Sequence, residues 1–206
     1  NGTRCAAAFL IDAGVAAGPE VTVATGAGLK LLRLLERQAL RFVFEMNMGR
    51  PRCQPEQIRH RLRVGGETLE ATILDVGNPQ CAVEVADFNF DWRALGARLE
   101  RHEEFPNRTN VSFFRRLNEH SIEARFFERG AGETMSSGTG STGAAAAAIL
   151  KGAAVSPVRV HTPAGIMDVR WDGEVWLTGP AEIVAGGEFY LKTHTGGFPD
   201  ESQRSG

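Results

Sequence analysis

No run of apolar residues in this chain of 206 is long enough to cross a bilayer. The longest, Ala144 to Leu150, falls far short of the ~20 residues that a membrane-spanning helix needs. Charge of one sign is lacking too: 23 Lys and Arg stand against 25 Asp and Glu, for a net charge of −2. Without a basic surplus the chain offers no electrostatic footprint to nucleic acid or to an anionic membrane, and neither is an expected partner. Cysteine is scarce, odd in number and scattered, with only Cys5, Cys53 and Cys81. That excludes a disulfide scaffold. No C-x-x-C pair occurs and the five His form no H-x-x-x-H pattern, so no metal site is expected. A cytoplasmic protein with reduced thiols fits these absences.

Glycine is plentiful, at 24 residues, and mostly punctuates short strands. Glu20 to Thr25 alternates as a strand, and Gly26-Ala27-Gly28 reads as a turn. Leu29 to Met46 is ambiguous. Leu29, Leu32, Leu35 and Leu40 suit a helix, but Leu40, Phe42, Phe44 and Met46 alternate with polar residues at strand period, which favours a hairpin of 29–35 and 39–47. Further strands are expected on either side of Gly65-Gly66, through Glu67 to Val85, and at Thr109–Leu117 and Ile122–Glu128. Asp91 to His102 reads as a helix. A second helix, Ser141 to Leu150, follows the Gly-rich run 128–140, and Cys5 to Ile11 makes a third. The remainder reads as strands at 157–162, 165–171, 174–178, 181–185 and 188–192.

An internal repeat organises these elements. Val21-Thr22-Val23-Ala24-Thr25-Gly26-Ala27-Gly28-Leu29 matches Val158-Arg159-Val160-His161-Thr162-Pro163-Ala164-Gly165-Ile166, a shift of 137. Asn1-Gly2 ahead of one Ala-rich helix echoes Thr139-Gly140 ahead of another, a shift of 138. Both halves read Gly-rich turn, helix, strand, turn, strand, which predicts an α/β (α+β) fold of two homologous lobes. The expected division is 1–70 as the remainder of an N-terminal lobe and 71–180 as a C-terminal lobe. Final strands over 181–197 return to the first lobe, and 198–206 form a disordered tail. The second lobe carries two elements ahead of its Gly-rich turn that the first lacks. With that ruler about 70 residues would precede Asn1, and the partner of Ser137 would lie two positions before it.

A helix with a Gly-rich first turn presents unpaired N–H groups and a positive dipole end, ready to hold an anion. Gly138, Thr139 and Gly140 open one such helix, and Asn1 and Gly2 open the other. Facing each other, they would hold a carboxylate and set side chains on both sides of the carbon beside it, a geometry for removing a proton from one face and returning one on the other. A plain Gly-rich entry serving tight packing explains the same residues. Glu128-Arg129 could clamp an ammonium and a carboxylate, or be an ordinary surface ion pair. Asn78 and Asn110 could hydrogen-bond a substrate from loops, although Asn78-Pro79 equally makes a turn. Cys81 and Cys5 read as buried small hydrophobes.

Taken together, the segments resemble the diaminopimelate epimerase family along nearly the whole chain. The matching blocks are N-G-T-R-C at 1–5, M-G-R-P at 48–51, G-N-P-Q-C at 77–81 and F-P-N-R-T-N-V-S-F at 105–113. They continue with E-R-G-A-G-E-T at 128–134, S-G-T-G at 137–140, T-P-A-G at 162–165 and L-T-G-P-A at 177–181. The resemblance implies two pseudo-symmetric lobes, each a mostly antiparallel sheet wrapped around a central helix, with the site between them. It implies epimerisation of an amino-acid substrate, with no cofactor, by one cysteine as thiolate base and another as thiol acid, both at helix N-termini where a thiol pKa falls. It assigns substrate binding to Asn1, Gly2, Asn78, Asn110, Glu128 and Arg129, with the α-carboxylate on the N–H groups of Gly138 and Thr139. A homodimer is in keeping with the family, although no stretch marks an interface.

The pattern departs from the family at two positions. The second catalytic cysteine falls at Ser137, and a hydroxyl is a far poorer base than a thiol. The usual His after G-N-P is Gln80. Two further readings therefore stand beside the epimerase: an altered-chemistry sibling of the same superfamily (isomerase, racemase or dehydratase of a small amino or carboxylic acid), and a catalytically impaired ligand binder.

Overall fold

The computed structural model describes residues 1–26 and 28–187. Chain order runs α1 (Gly2–Asp12), β1 (Glu20–Thr25), β2 (Gly28–Gln38), β3 (Arg41–Gly49), β4 (His60–Val64), β5 (Glu67–Asp75), β6 (Pro79–Glu84) and α2 (Trp92–Glu100). It continues β7 (Asn110–Asn118), β8 (Ser121–Glu128), β9 (Gly132–Thr134), α3 (Gly138–Leu150), β10 (Val158–Thr162), β11 (Gly165–Asp172) and β12 (Glu174–Glu182). The strands make one sheet in the order β1-β2-β3-β12-β11-β10-β8-β7-β6-β5-β4, with β9 paired to β8. Among the described residues only β6–β7 and β8–β10 are parallel; the other pairs are antiparallel. No helix among the described residues is long and apolar enough to cross a membrane.

The sheet curls about two helices. α1 packs on β1, β2, β3 and β12, whereas α3 packs chiefly on β5, β6, β7, β8, β10 and β11. α3 is apolar all round, as a helix enclosed on every side must be. Gly138 and every residue from Gly140 to Ala148 are buried. Its small residues allow the sheet to close on it. A Cβ on Gly140 would stand 2.6 Å from Phe126 Cδ1, and one on Gly143 would stand 3.1 Å from Gln80 Cγ. The core around the two helices takes Phe42, Phe44, Phe114, Phe126 and Leu177. A second cluster of Leu62, Val83, Trp92, Leu99, Val111 and Phe113 sits beneath α2.

The repeat seen in the sequence reproduces a side-chain contact. Thr25 Oγ1 donates to Gly28 O at 2.7 Å, and Thr162 Oγ1 donates to Gly165 O at 2.7 Å. Both glycines hold positive φ, +90° and +128°, a backbone region where L side chains are strained. β1 and β10 thus turn into β2 and β11 by the same local device.

Several expectations shift. Residues 174–178 and 181–185 do not form two strands; β12 runs unbroken from Glu174 to Glu182, and 183–185 lie outside it. Gly179-Pro180 does not break it because Pro180 lies past Thr178, the last residue paired with β11, where a strand can lack an N–H. α3 begins at Gly138 rather than Ser141, since Ser137 supplies the cap, and α1 begins at Gly2 rather than Cys5. The short β9 and a 3₁₀ turn at Pro55–Gln57 were not foreseen. Cys5 is exposed, not buried, because α1 turns only Arg4, Ala7 and Ala8 fully inward. The expected strand at 188–192 and the tail from 198 lie outside the described residues.

Candidate active site

Ser137 is the N-cap of α3. Its backbone is extended (φ −134°, ψ 123°), and its Oγ accepts the Gly140 N–H at 3.0 Å, the usual way a serine satisfies one orphan donor of a helix. Gly138 and Thr139 follow with N–H groups the helix cannot pair internally. Gly138 sits in a tight place: a Cβ would stand 3.1 Å from Leu177 Cδ2, which would have to give way, and 3.5 Å from Arg4 Nη1. The N-terminus of α1 meets this turn: Asn1 Nδ2 donates to Ser136 O at 3.0 Å. Gly2, beside it, is exposed.

From the other side, β6 and its preceding turn bring Asn78, whose Nδ2 donates to Thr139 Oγ1 at 3.4 Å. Asn110, at the start of β7, is buried and spends its amide on the backbone. Its Nδ2 donates to Pro79 O at 3.0 Å, and its Oδ1 accepts the Arg129 N–H at 3.0 Å. Asn110 therefore knits the G-N-P turn to the Glu128-Arg129 turn. Glu128 and Arg129 are not the ion pair that adjacency suggested. Glu128 Oε1 accepts from Thr134 Oγ1 at 2.6 Å, and Arg129 Nη1 donates to Asn107 O at 3.1 Å. The two side chains are held separately. A cleft of about 650 Å³ opens here, with Pro79, Asn107, Arg108 and Arg129 in its wall. Another cleft, about 570 Å³, lies beside His120 and His161 and contains none of the residues singled out from the sequence.

The structure thus assembles two contiguous groups, Asn1–Ser136–Ser137–Gly138 and Asn78–Pro79–Asn110–Arg129, joined through Thr139. Three residues support these groups: Arg4 and Thr134, which the sequence reading did not single out, and Gln80, noted there only as a departure from the family pattern. Arg4, 2% exposed, donates through Nη2 to Asn1 Oδ1 at 2.7 Å and through Nε to Pro180 O at 3.2 Å. Gln80, fully buried, donates to Asn78 Oδ1 at 2.7 Å and so fixes which way that amide faces. Thr134 orients Glu128. All three lie inside blocks quoted above, so the signal was present, but their bonds run across the fold and leave no local trace.

No cysteine among the described residues joins these groups. Cys81 is sealed in the core, where burial and then Glu104 push its thiol up to about 12, far from a working nucleophile. Burial likewise raises the Cys53 thiol. No group of three or more His, Cys, Asp or Glu among the described residues is placed to hold a metal ion.

A mixed sheet curled about two helices whose N-termini meet is a fold shared with solved structures of a probable proline racemase, a hydroxyproline epimerase and a PhzF-family protein. A hydroxyproline epimerase from Agrobacterium vitis, solved with trans-4-OH-L-proline, superimposes with a TM-score of 0.67 at 14% identity, covering 87% of this chain and 64% of that one. The chain thus spans a little under two thirds of that structure. In sequence, the model of the family described as diaminopimelate epimerase matches residues 72–184. Diaminopimelate epimerase of Moorella thermoacetica is 38% identical over 205 residues, covering 93% of this chain and 74% of that protein. The Aromatoleum aromaticum enzyme of the same name is 39% identical over 201 residues, covering 91% and 71%. The chain belongs to the diaminopimelate epimerase family, a family of isomerases.

Proposed function

We propose that the protein is a cofactor-independent, cytoplasmic epimerase that interconverts LL- and meso-diaminopimelate by removing and returning the Cα proton. The observation that carries this reading is the convergence at Thr139: the open N-terminus of α3 on one side, the Asn78–Asn110–Arg129 group on the other. A substrate carboxylate on the Gly138 and Thr139 N–H groups lies at the positive end of α3, where charge developing on that carboxylate as the Cα–H bond breaks is stabilised. Arg129 supplies a fixed cation and Glu128 a fixed anion, a complement for the carboxylate and ammonium of an amino acid. Asn1 and Gly2 open the facing wall, and Ser137 stands at the acid–base position. Its Oγ accepts one N–H, from Gly140, and keeps its hydrogen and a second lone pair, so it gives a proton to Cα in one direction and takes one from Cα in the reverse direction.

That same hydroxyl favours a second reading, in which the site binds an amino or carboxylic acid but runs another reaction or none. Incubation with LL-diaminopimelate, and separately with the meso isomer, distinguishes them by chiral chromatography. The expected result is conversion in both directions without added cofactor. Calorimetric binding without conversion supports the second reading, and neither binding nor conversion contradicts both.

A further inference from the structure

Glu100, at the end of α2, is a carboxylate only 3% exposed, and it is bonded from three directions. Its Oε1 accepts the Gly130 N–H at 3.2 Å and Arg108 Nη1 at 3.4 Å, and its Oε2 accepts Arg101 Nε at 3.0 Å. Its own backbone carbonyl accepts the Thr109 N–H at 3.2 Å. A buried carboxylate is tolerated only when it is paired and hydrogen-bonded this fully. Burial works against its charged form, but the Gly130 N–H and the two guanidiniums outweigh it and hold the carboxyl below its ordinary range.

The anchor itself is rigid. Asp91 caps α2 by accepting the Ala94 N–H at 3.0 Å, and Trp92 and Leu99 bury the helix in the second core. Gly96 brings the helix against Phe127, the residue before Glu128; a Cβ there would be 2.8 Å from Phe127 Cβ. The turns that Glu100 holds carry positive-φ residues. Gly130 has φ +75°, and Arg108 has φ +59°, a region that costs a non-glycine residue. One turn carries Glu128 and Arg129; the other carries Asn107 and Arg108; Asn107, Arg108 and Arg129 all stand in the wall of the 650 Å³ cleft.

We propose that Glu100 is a positioning residue, a buried carboxylate that fixes the Glu128–Arg129 turn and the Arg108 turn to one helix and thereby sets substrate affinity without touching substrate. The proposal rests on the epimerase reading for the ligand's identity, not for the mechanical role. Because the acid–base position, Ser137, caps α3, while the Glu100 carboxylate is bonded to Gly130, Arg101 and Arg108, its loss acts on binding more than on the chemical step.

The test compares Glu100→Gln, which keeps an acceptor for the Gly130 N–H, with Glu100→Leu, which keeps none. Glu100→Leu is expected to raise KM, and the calorimetric Kd for meso-diaminopimelate, about tenfold or more, with kcat changed much less. Glu100→Gln is expected to recover a large part of that loss. Hydrogen exchange at 129–131 accelerates in the Leu variant while the start of α3 keeps its protection. An unchanged Kd, or a fall in kcat that follows loss of folded protein alone, overturns the proposal. If the parent protein binds no diaminopimelate, the epimerase reading fails, and unaltered exchange at 129–131 would then overturn the mechanical role separately.

Discussion

Replacing Ser137 with cysteine is expected to raise the rate of Cα proton exchange in diaminopimelate by about 10²–10⁴-fold, the range ascribed to a well-placed acid–base group. Residue 137 sits where the N-terminus of α3 points its unpaired N–H groups, and its side-chain atom already faces the Gly140 N–H. A thiol there has its pKa lowered from about 8.5 toward neutrality by the helix end, so both thiol and thiolate are accessible. A serine hydroxyl gains the same field but starts far weaker as an acid or base. The gain is attributable to this position because Cys81, the buried cysteine nearest in sequence to Asn78, is held at about 12. Sulfur caps a helix less well than oxygen, so a loss of up to about 1 kcal/mol of stability should accompany the gain. Exchange followed by NMR in heavy water checks the first effect and urea unfolding the second. A folded Ser137→Cys protein with no faster exchange would show that residue 137 is not at the acid–base position.

The second large effect is structural. Asn110→Leu, close to isosteric, is expected to cost about 2–6 kcal/mol, because it strands Pro79 O and the Arg129 N–H together at about 1–3 kcal/mol each. It also unties the G-N-P turn from the Glu128–Arg129 turn, so ligand affinity falls in the protein that remains folded. Asn110→Asp keeps an acceptor for the Arg129 N–H and loses the donor to Pro79 O; it should fall between the parent and Asn110→Leu. Equilibrium denaturation gives the ranking. Equal stability of all three would mean that the Asn110 bonds do not hold these turns.

Much of the fold was legible because it is written locally. The hairpin of β2 and β3 was carried by the alternation of Leu40, Phe42, Phe44 and Met46, and the T-x-A-G repeat fixed two equivalent turns, down to the Thr25 and Thr162 bonds. α3 was visible as a run of small residues, although its start was placed three residues late because serine, threonine and glycine read as loop until the cap is seen. β12 was split in two because Gly179-Pro180 looks like a breaker; only its place beside β3, across most of the sequence, shows why it is not. The candidate site was legible as a set of residue types but not as a division of labour. Asn110 and Asn78 looked alike in sequence, yet one spends both amide atoms on backbone while the other faces Thr139. Arg4 acts through Asn1 and Pro180, 3 and 176 positions away, Thr134 through Glu128, and Glu100 through Gly130, 30 positions on, and no periodicity records such bonds.

Solvent deuterium incorporation at Cα tests the central claim most directly. The protein is incubated in heavy water with LL- and with meso-diaminopimelate, and label and configuration are read together by mass spectrometry and chiral chromatography. Label entering at Cα with inversion, from either isomer and without added cofactor, is the expected result. Both isomers recovered unlabelled from a folded protein that binds them would contradict epimerase chemistry at Ser137.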